Sequence, residues 1–236
     1  MIIINQNADI FIEKYKKFEN LARTVYKIDD AESIPYELCK QKRFRNHEAT
    51  IKYCQNIRNF LQHNPKYNGE NIVYLNDPAI DMVDELIKIV ENRPKCKDIA
   101  ILDKNVYKRT KTDRVKEAMS AMRANVYTHV PIVNSDNIVE GVFDENSVFN
   151  YLAAEEIACI DDDLTFEQMK DYISLNNREM EEFIFVKASL YVDDLEKKFE
   201  EATGKGKRIG MAFITVSGKS DSPLVGIITP WDILGA

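Results

Sequence analysis

One pattern is written twice in this chain. The stretch IVEGVFDENSVF, residues 138–149, aligns without gaps on PLVGIITPWDIL, residues 223–234, so that Gly141 matches Gly226 at an offset of 85 residues. Each copy opens as a β-branched run and turns at once into a short helical pattern. A helix-patterned segment precedes each one, Val115–Met122 and Leu195–Ala202. Self-similarity of this kind constrains the C-terminal part of the chain to an internally repeated architecture.

Around the copies, the runs DIAIL, THVPIV, IVEGVF, EFIFVK, MAFITV and LVGIIT read as strands. The patterns DRVKEAMSAMRAN and VDDLEKKFEEA between them read as helices, which predicts a β/α layout. Residues 155–180, with a helix expected over TFEQMKDYISL, read as an insert between the copies. The first 93 residues follow a different period. Residues 8–28 place Ile10, Phe11, Tyr15, Phe18, Leu21, Ala22 and Val25 at spacings of three and four, the signature of an amphipathic helix. A short helix is expected after Pro35, and another over 47–63 with Ile51, Cys54, Ile57 and Leu61 on one stripe, stopped by Pro65. DPAIDMVDELIKIVENRP gives a further helix that begins on an Asp-Pro signal. The expected fold class is α+β: an all-helical bundle over 1–95, then two β-α-β-β-α motifs over 96–236, the copies spanning about 96–154 and 181–236.

Composition narrows the function classes. At 44% hydrophobic residues the chain is a globular protein rather than a disordered one. No apolar run approaches the roughly 20 residues that span a bilayer, and the start, MIIINQNADIF, lacks a basic region and a signal-peptide core. These features predict a cytoplasmic protein without a membrane partner. Cys39, Cys54, Cys96 and Cys159 form no CxxC pair, and His47, His63 and His129 form no HxH or HxxxH pair, so no metal site is expected and the thiols read as reduced and mostly buried. The net charge of −7 is uneven: residues 1–95 hold 15 basic and 14 acidic side chains, the remainder 17 and 25. Lys40, Lys42, Arg43, Arg45, Lys52 and Arg58 stand against Glu48 alone. Such asymmetry points to two modules with different partners.

The repeat resembles the CBS domain pair, or Bateman module, over roughly residues 96–236. The resemblance rests on a strand near HVPIV and on a second strand that ends Gly226-Ile227-Ile228-Thr229, followed by Asp232. It implies that Thr229 and Asp232 form a nucleotide site. The chemistry suits that role, because an aspartate accepts from both ribose hydroxyls, and a threonine hydroxyl with helix-terminal amides can receive a phosphate. The same two residues also suit a helix cap. Asp144 and Ser147 replace them in the first copy, so one competent site is expected rather than two. Pro131 of the first copy is matched to Ile214 of the second. Val186, at the end of EFIFV, is a candidate wall of the pocket, and His129 a candidate contact in the cleft between the copies. The implied regulatory ligands are AMP, ADP or ATP, S-adenosylmethionine or a cyclic dinucleotide, with no cofactor required.

The N-terminal part resembles the HEPN helical bundles over about residues 8–93, on Arg58, Asn59 and His63 in CQNIRNFLQHN. The resemblance implies either a dimerising or relaying bundle or a metal-independent endoribonuclease. In the second case His63 takes the proton of an RNA 2′-hydroxyl and Arg58 steadies the phosphate. Arg58 and His63 are five residues apart and therefore about 140° apart around a helix. One intact helix does not aim both at one phosphate, so a nuclease needs either a frayed helix end or two chains that face each other, and the HEPN resemblance implies the second. The sequence favours a non-enzymatic regulatory homodimer that senses an adenosyl ligand, with a ligand-gated ribonuclease acting on RNA as the alternative.

Overall fold

The computed structural model describes residues 6–64, 66, 73–176, 178 and 180–234. Pro65, the expected stop of the third helix, lies outside them. The chain divides into two compact units, Met1–Arg93 and Pro94–Ala236.

The first unit is helical. Helix α1 (Asn7–Tyr26) and α2 (Ile34–Lys40) are followed by a 3-10 turn, Lys42–His47, and then by α3 (Glu48–His63) and α4 (Asp77–Glu91). Helix α1 buries Phe11, Tyr15, Phe18 and Ala22 as its spacing requires, while Ile10 remains exposed at the stripe's edge. Those side chains pack with Leu38, Phe44, Ile51, Cys54, Val83, Leu86 and Val90 in one core. Helix α4 starts where Asn76 accepts from the Ala79 amide, 3.3 Å, with a proline inside its first turn.

The second unit runs through two β-α-β-β-α passes. The first comprises β1 (Ile101–Leu102), α6 (Val115–Asn125), β2 (His129–Val133), β3 (Val139–Asp144) and α7 (Glu145–Ala154), preceded by α5 (Cys96–Ile99). The second comprises β4 (Glu181–Lys187), α8 (Val192–Gly204), β5 (Arg208–Thr215), β6 (Leu224–Ile228) and α9 (Pro230–Leu234). Strands β2 and β3 form an antiparallel pair, and the other four form a sheet in the order β1-β6-β5-β4. The opening strand of the first copy thus completes the sheet of the second, with Leu102 opposite Gly226.

That exchange explains the repeated glycine. A Cβ on Gly226 would sit 2.6 Å from the Ile101 carbonyl oxygen, and one on Gly141 would sit 2.7 Å from that of Ile173. In both copies a neighbouring backbone approaches the strand at the same place, and only a residue without a side chain admits it.

Three local expectations are corrected. DIAIL gives one helical turn before a two-residue strand. The register sets Pro131 opposite Val142 and Phe213 opposite Ile227, so the counterpart of Pro131 is Phe213 rather than Ile214. TFEQMKDYISL forms successive turns, not a helix. Its amides are claimed elsewhere: Phe166 and Glu167 donate to the carbonyls of Asp113 and Lys111, at 3.2 and 2.8 Å. Its apolar side chains Phe166, Met169 and Ile173, with Ile160 and Leu164, pack against Val115, Val130, Ile132 and Phe143. The insert is therefore a wall of the first copy's core, and tertiary burial has overridden local helical patterning.

Candidate functional site

The repeat places two strand-to-helix turns in equivalent settings, and each closes on itself. In the second copy Thr229 donates its backbone amide and its hydroxyl to Asp232 Oδ2, each at 2.7 Å. Both residues are half-buried, and Trp231 between them is 77% exposed. The Asp232 amide returns a bond to the Thr229 carbonyl at 3.1 Å, and among the described residues no further bond is made to its carboxylate. The threonine proton and amide expected to serve a phosphate are thus engaged by the aspartate, which keeps Oδ1 unengaged at the surface of the turn.

The first copy draws the same cap in reverse. The Ser147 amide and hydroxyl donate to Asp144 Oδ1 at 2.7 and 2.8 Å, and the Asp144 amide donates to Ser147 Oγ at 3.3 Å. Moving the acid from the fourth position to the first preserves the cap but buries the carboxylate, since Asp144 is 3% exposed. Its second oxygen, Oδ2, accepts from Arg178 Nη1, a residue of the insert. Arg178 also donates through Nη2 to the Val142 carbonyl at 2.5 Å and through Nε to the Ser174 carbonyl at 3.0 Å. Its guanidinium lies 5.0 Å from the centre of the Phe183 ring.

The strand β4 of the second copy enters the same knot. Glu181 is buried, with Oε1 accepting from Arg208 Nε at 3.0 Å and lying 3.2 Å from His129 Nε2. Its Oε2 has no hydrogen-bond partner among the described residues and stands 3.7 Å from Arg178 Nη1. Burial alone pushes the Glu181 carboxyl up, but the His129 contact and the charges of Arg208 and Arg178 outweigh it and hold the group below its ordinary value of 4.5. His129 is fixed at its other nitrogen by the Thr128 hydroxyl, 2.9 Å away, and meets Phe183 edge-on. It faces Glu181 of the other copy rather than open solvent. Donor atoms of His129, Asp144 and Glu181 lie within 4.8 Å of one another, a spacing compatible with a cation. Arg178 and Arg208 already neutralise both carboxylates, so the donor set does not fit a metal ion.

A polar cavity of about 800 Å³ adjoins the knot, with Asn146, Asn150, Tyr172, Arg178, Glu181 and Arg208 among its lining residues. The sequence offered no signal for Arg178, Glu181 and Arg208, because they belong to no motif: Arg178 lies in the segment read as an insert, and Glu181 and Arg208 lie just outside the runs read as strands. Val186 is 5% exposed and packs with Cys96, Leu195, Ile228 and Ile233, as a member of the core beneath the second turn.

In the helical unit, Arg58 is tied down. It pairs with Glu19 at 3.4 Å, donates to Asn59 Oδ1 at 3.0 Å and lies over the buried Tyr15 ring at 5.9 Å. Burial, then the Glu19 charge, raises the Tyr15 hydroxyl pKa, and Arg58 works against that rise. His63 stands exposed in the last turn of α3. The basic run around them is also engaged: Arg43 donates to the carbonyls of Ile89 and Asn92, each at 2.8 Å, Lys40 pairs with Glu37, and Lys52 pairs with Glu48. No described helix is long and apolar enough to cross a membrane.

A family model of the CBS domain matches residues 96–154. No curated protein sequence matches the chain. Among solved structures, the chain is similar to a putative acetoin utilization protein, AcuB, from Vibrio cholerae, at 18% identity and a TM-score of 0.45, covering 61% of this chain and 90% of that one. It is also similar to CBSX2 in complex with AMP, at 13% identity and a TM-score of 0.43, covering 60% and 93%. A third structure, CbpB in complex with c-di-AMP, gives 13% identity and a TM-score of 0.44, covering 60% and 83%. The first β-α-β-β-α pass falls inside the residues that the CBS domain model matches.

Proposed function

We propose that the C-terminal unit is a regulatory module that binds one adenosyl-containing ligand per chain at the turn of Thr229 and Asp232, and that the helical unit dimerises or relays the resulting signal. In this reading residues 96–154 and 181–236 act as a CBS pair. Asp232 carries the proposal: Thr229 holds its carboxylate in a fixed orientation through Oδ2, and Oδ1 has no partner among the described residues. A preset acceptor of this kind suits the two hydroxyls of a ribose. AMP, ADP, ATP and S-adenosylmethionine offer both hydroxyls, and a cyclic dinucleotide offers the one on each ribose that its phosphodiester leaves free. The first copy is not offered the same ligand, since Asp144 is buried, capped and neutralised within the chain.

The HEPN-type ribonuclease reading requires Arg58 to leave Glu19 and a second chain to bring His63 to it, and no contact of either residue favours that. A thermal-shift panel of the named ligands tests the proposal. One of them raises the unfolding midpoint of the wild-type chain in a concentration-dependent way, and the same ligand fails to do so for Asp232→Ala. A panel without any shift, or a shift unchanged by Asp232→Ala, contradicts it.

A further inference from the structure

The knot around Arg178 has the chemistry of a receptor site. Its guanidinium is met by Asp144 Oδ2, by the Val142 carbonyl at 2.5 Å, by Glu181 Oε2 at 3.7 Å and by the face of Phe183 at 5.0 Å. Two buried carboxylates, a backbone carbonyl and an aromatic face are the groups that recognise a planar, delocalised cation. They come from three parts of the chain: Val142 and Asp144 from β3, Glu181 and Phe183 from β4, and the cation itself from the insert. Asp144 and Glu181 are 3% and 4% exposed. Neither could be buried as a charge without a cation present.

We propose that the first-copy turn is a guanidinium-binding site that the chain occupies with its own Arg178. The two copies then differ in kind. The second presents an acceptor oxygen at an open turn, while the first is closed in cis by a positively charged side chain and selects cations of guanidinium shape. Phosphates are excluded because Asp144 and Glu181 face the space they would enter. Divalent metal ions are disfavoured because Arg208 also bears on Glu181, and a point charge cannot reproduce the fork that joins Asp144 to the Val142 carbonyl. The inference rests on the contacts around Arg178 alone and stands or falls independently of the nucleotide reading.

Chemical rescue tests it. Arg178→Ala leaves the buried Asp144 carboxylate without its cation, while Glu181 keeps Arg208, and lowers the unfolding midpoint by roughly 10 °C. Methylguanidinium at millimolar concentration, far below denaturing levels, restores at least half of that loss along a saturating curve. Equal concentrations of sodium chloride, tetramethylammonium, orthophosphate or zinc do not. Wild type, whose site is filled, and the double variant Asp144→Asn/Arg178→Ala, which lacks the principal acceptor, show no saturable response. If the alanine variant does not fold, Arg178→Gln, which keeps a hydrogen-bonding side chain, carries the same titration. Absence of saturable recovery overturns the proposal, as does recovery given equally by sodium chloride, by phosphate or by zinc.

Discussion

Thr229 donates twice to a single oxygen of Asp232, and Asp144 receives from Ser147 the mirror of that pair of bonds. One cap has been built from two arrangements of the same chemistry, and the position of the acid decides what each copy can do next. At the fourth position the carboxylate lies at the half-exposed surface of the turn. At the first it points inward, where Arg178 reaches its second oxygen.

The stability cost of losing each acid follows from that difference. Asp232→Ala removes a partly exposed cap of a short helix and costs about 1 kcal/mol. Asp144→Ala removes the α7 cap and strands Arg178 in a buried site, and costs about 3 kcal/mol or more. Urea unfolding of the two variants beside wild type checks the order. Equal losses would show that Arg178 contributes nothing.

Acid should weaken the second unit through Glu181. Its carboxyl is held below the ordinary value of 4.5 in the folded chain, so its contribution is complete above that value and disappears as pH falls through the lowered folded one. His129, Arg178, Arg208 and the Asp144 carboxylate are charged or titratable groups that face it. Between pH 7 and 3 the wild-type unfolding free energy therefore falls more steeply than that of Glu181→Gln. Parallel curves would remove Glu181 from the account.

The repeated glycines give a packing test. Gly141→Ala and Gly226→Ala each force a methyl against a backbone carbonyl that cannot swing aside, 2.7 and 2.6 Å away, and each costs about 1–3 kcal/mol. Chemical denaturation of either variant measures it. Gly204, with open space around its Cβ position, serves as the control, and Gly204→Ala is neutral or slightly stabilising.

Arg58 and His63 separate by function. Arg58→Ala loses the Glu19 pair and the cover over Tyr15 and lowers the stability of the helical unit by about 1 kcal/mol. His63→Ala, at an exposed helix end, changes stability by less than about 0.5 kcal/mol. Neither variant alters the fate of mixed RNA incubated with the chain. RNA cleavage abolished by His63→Ala would establish the nuclease and reverse this assignment.

Much of the architecture was legible because it rests on local rules. The three-and-four spacing of Phe11, Tyr15, Phe18 and Ala22 fixes α1, and the alternation of β-branched runs with helices fixes both passes of the second unit. The gapless alignment also located the two turns. What the sequence left hidden depends on long-range contact. TFEQMKDYISL has a helical pattern, yet its amides bond to the chain before α6 and its apolar groups fill the first core. Strand β1 has two residues and becomes a strand only because β6 accepts it. Arg178 lies outside both aligned copies, and nothing in its local sequence connects it with Asp144, 34 positions earlier. Arg58 offered a catalytic spacing that Glu19, on another helix, absorbs.

The central claim is one adenosyl-ligand site per chain, at Asp232. Isothermal titration of the full chain with the ligand that gives the largest thermal shift measures it directly. The account predicts a stoichiometry of one per chain for wild type, unchanged by Ser147→Ala and abolished by Asp232→Ala. Two sites per chain, or binding that persists in Asp232→Ala, would contradict it.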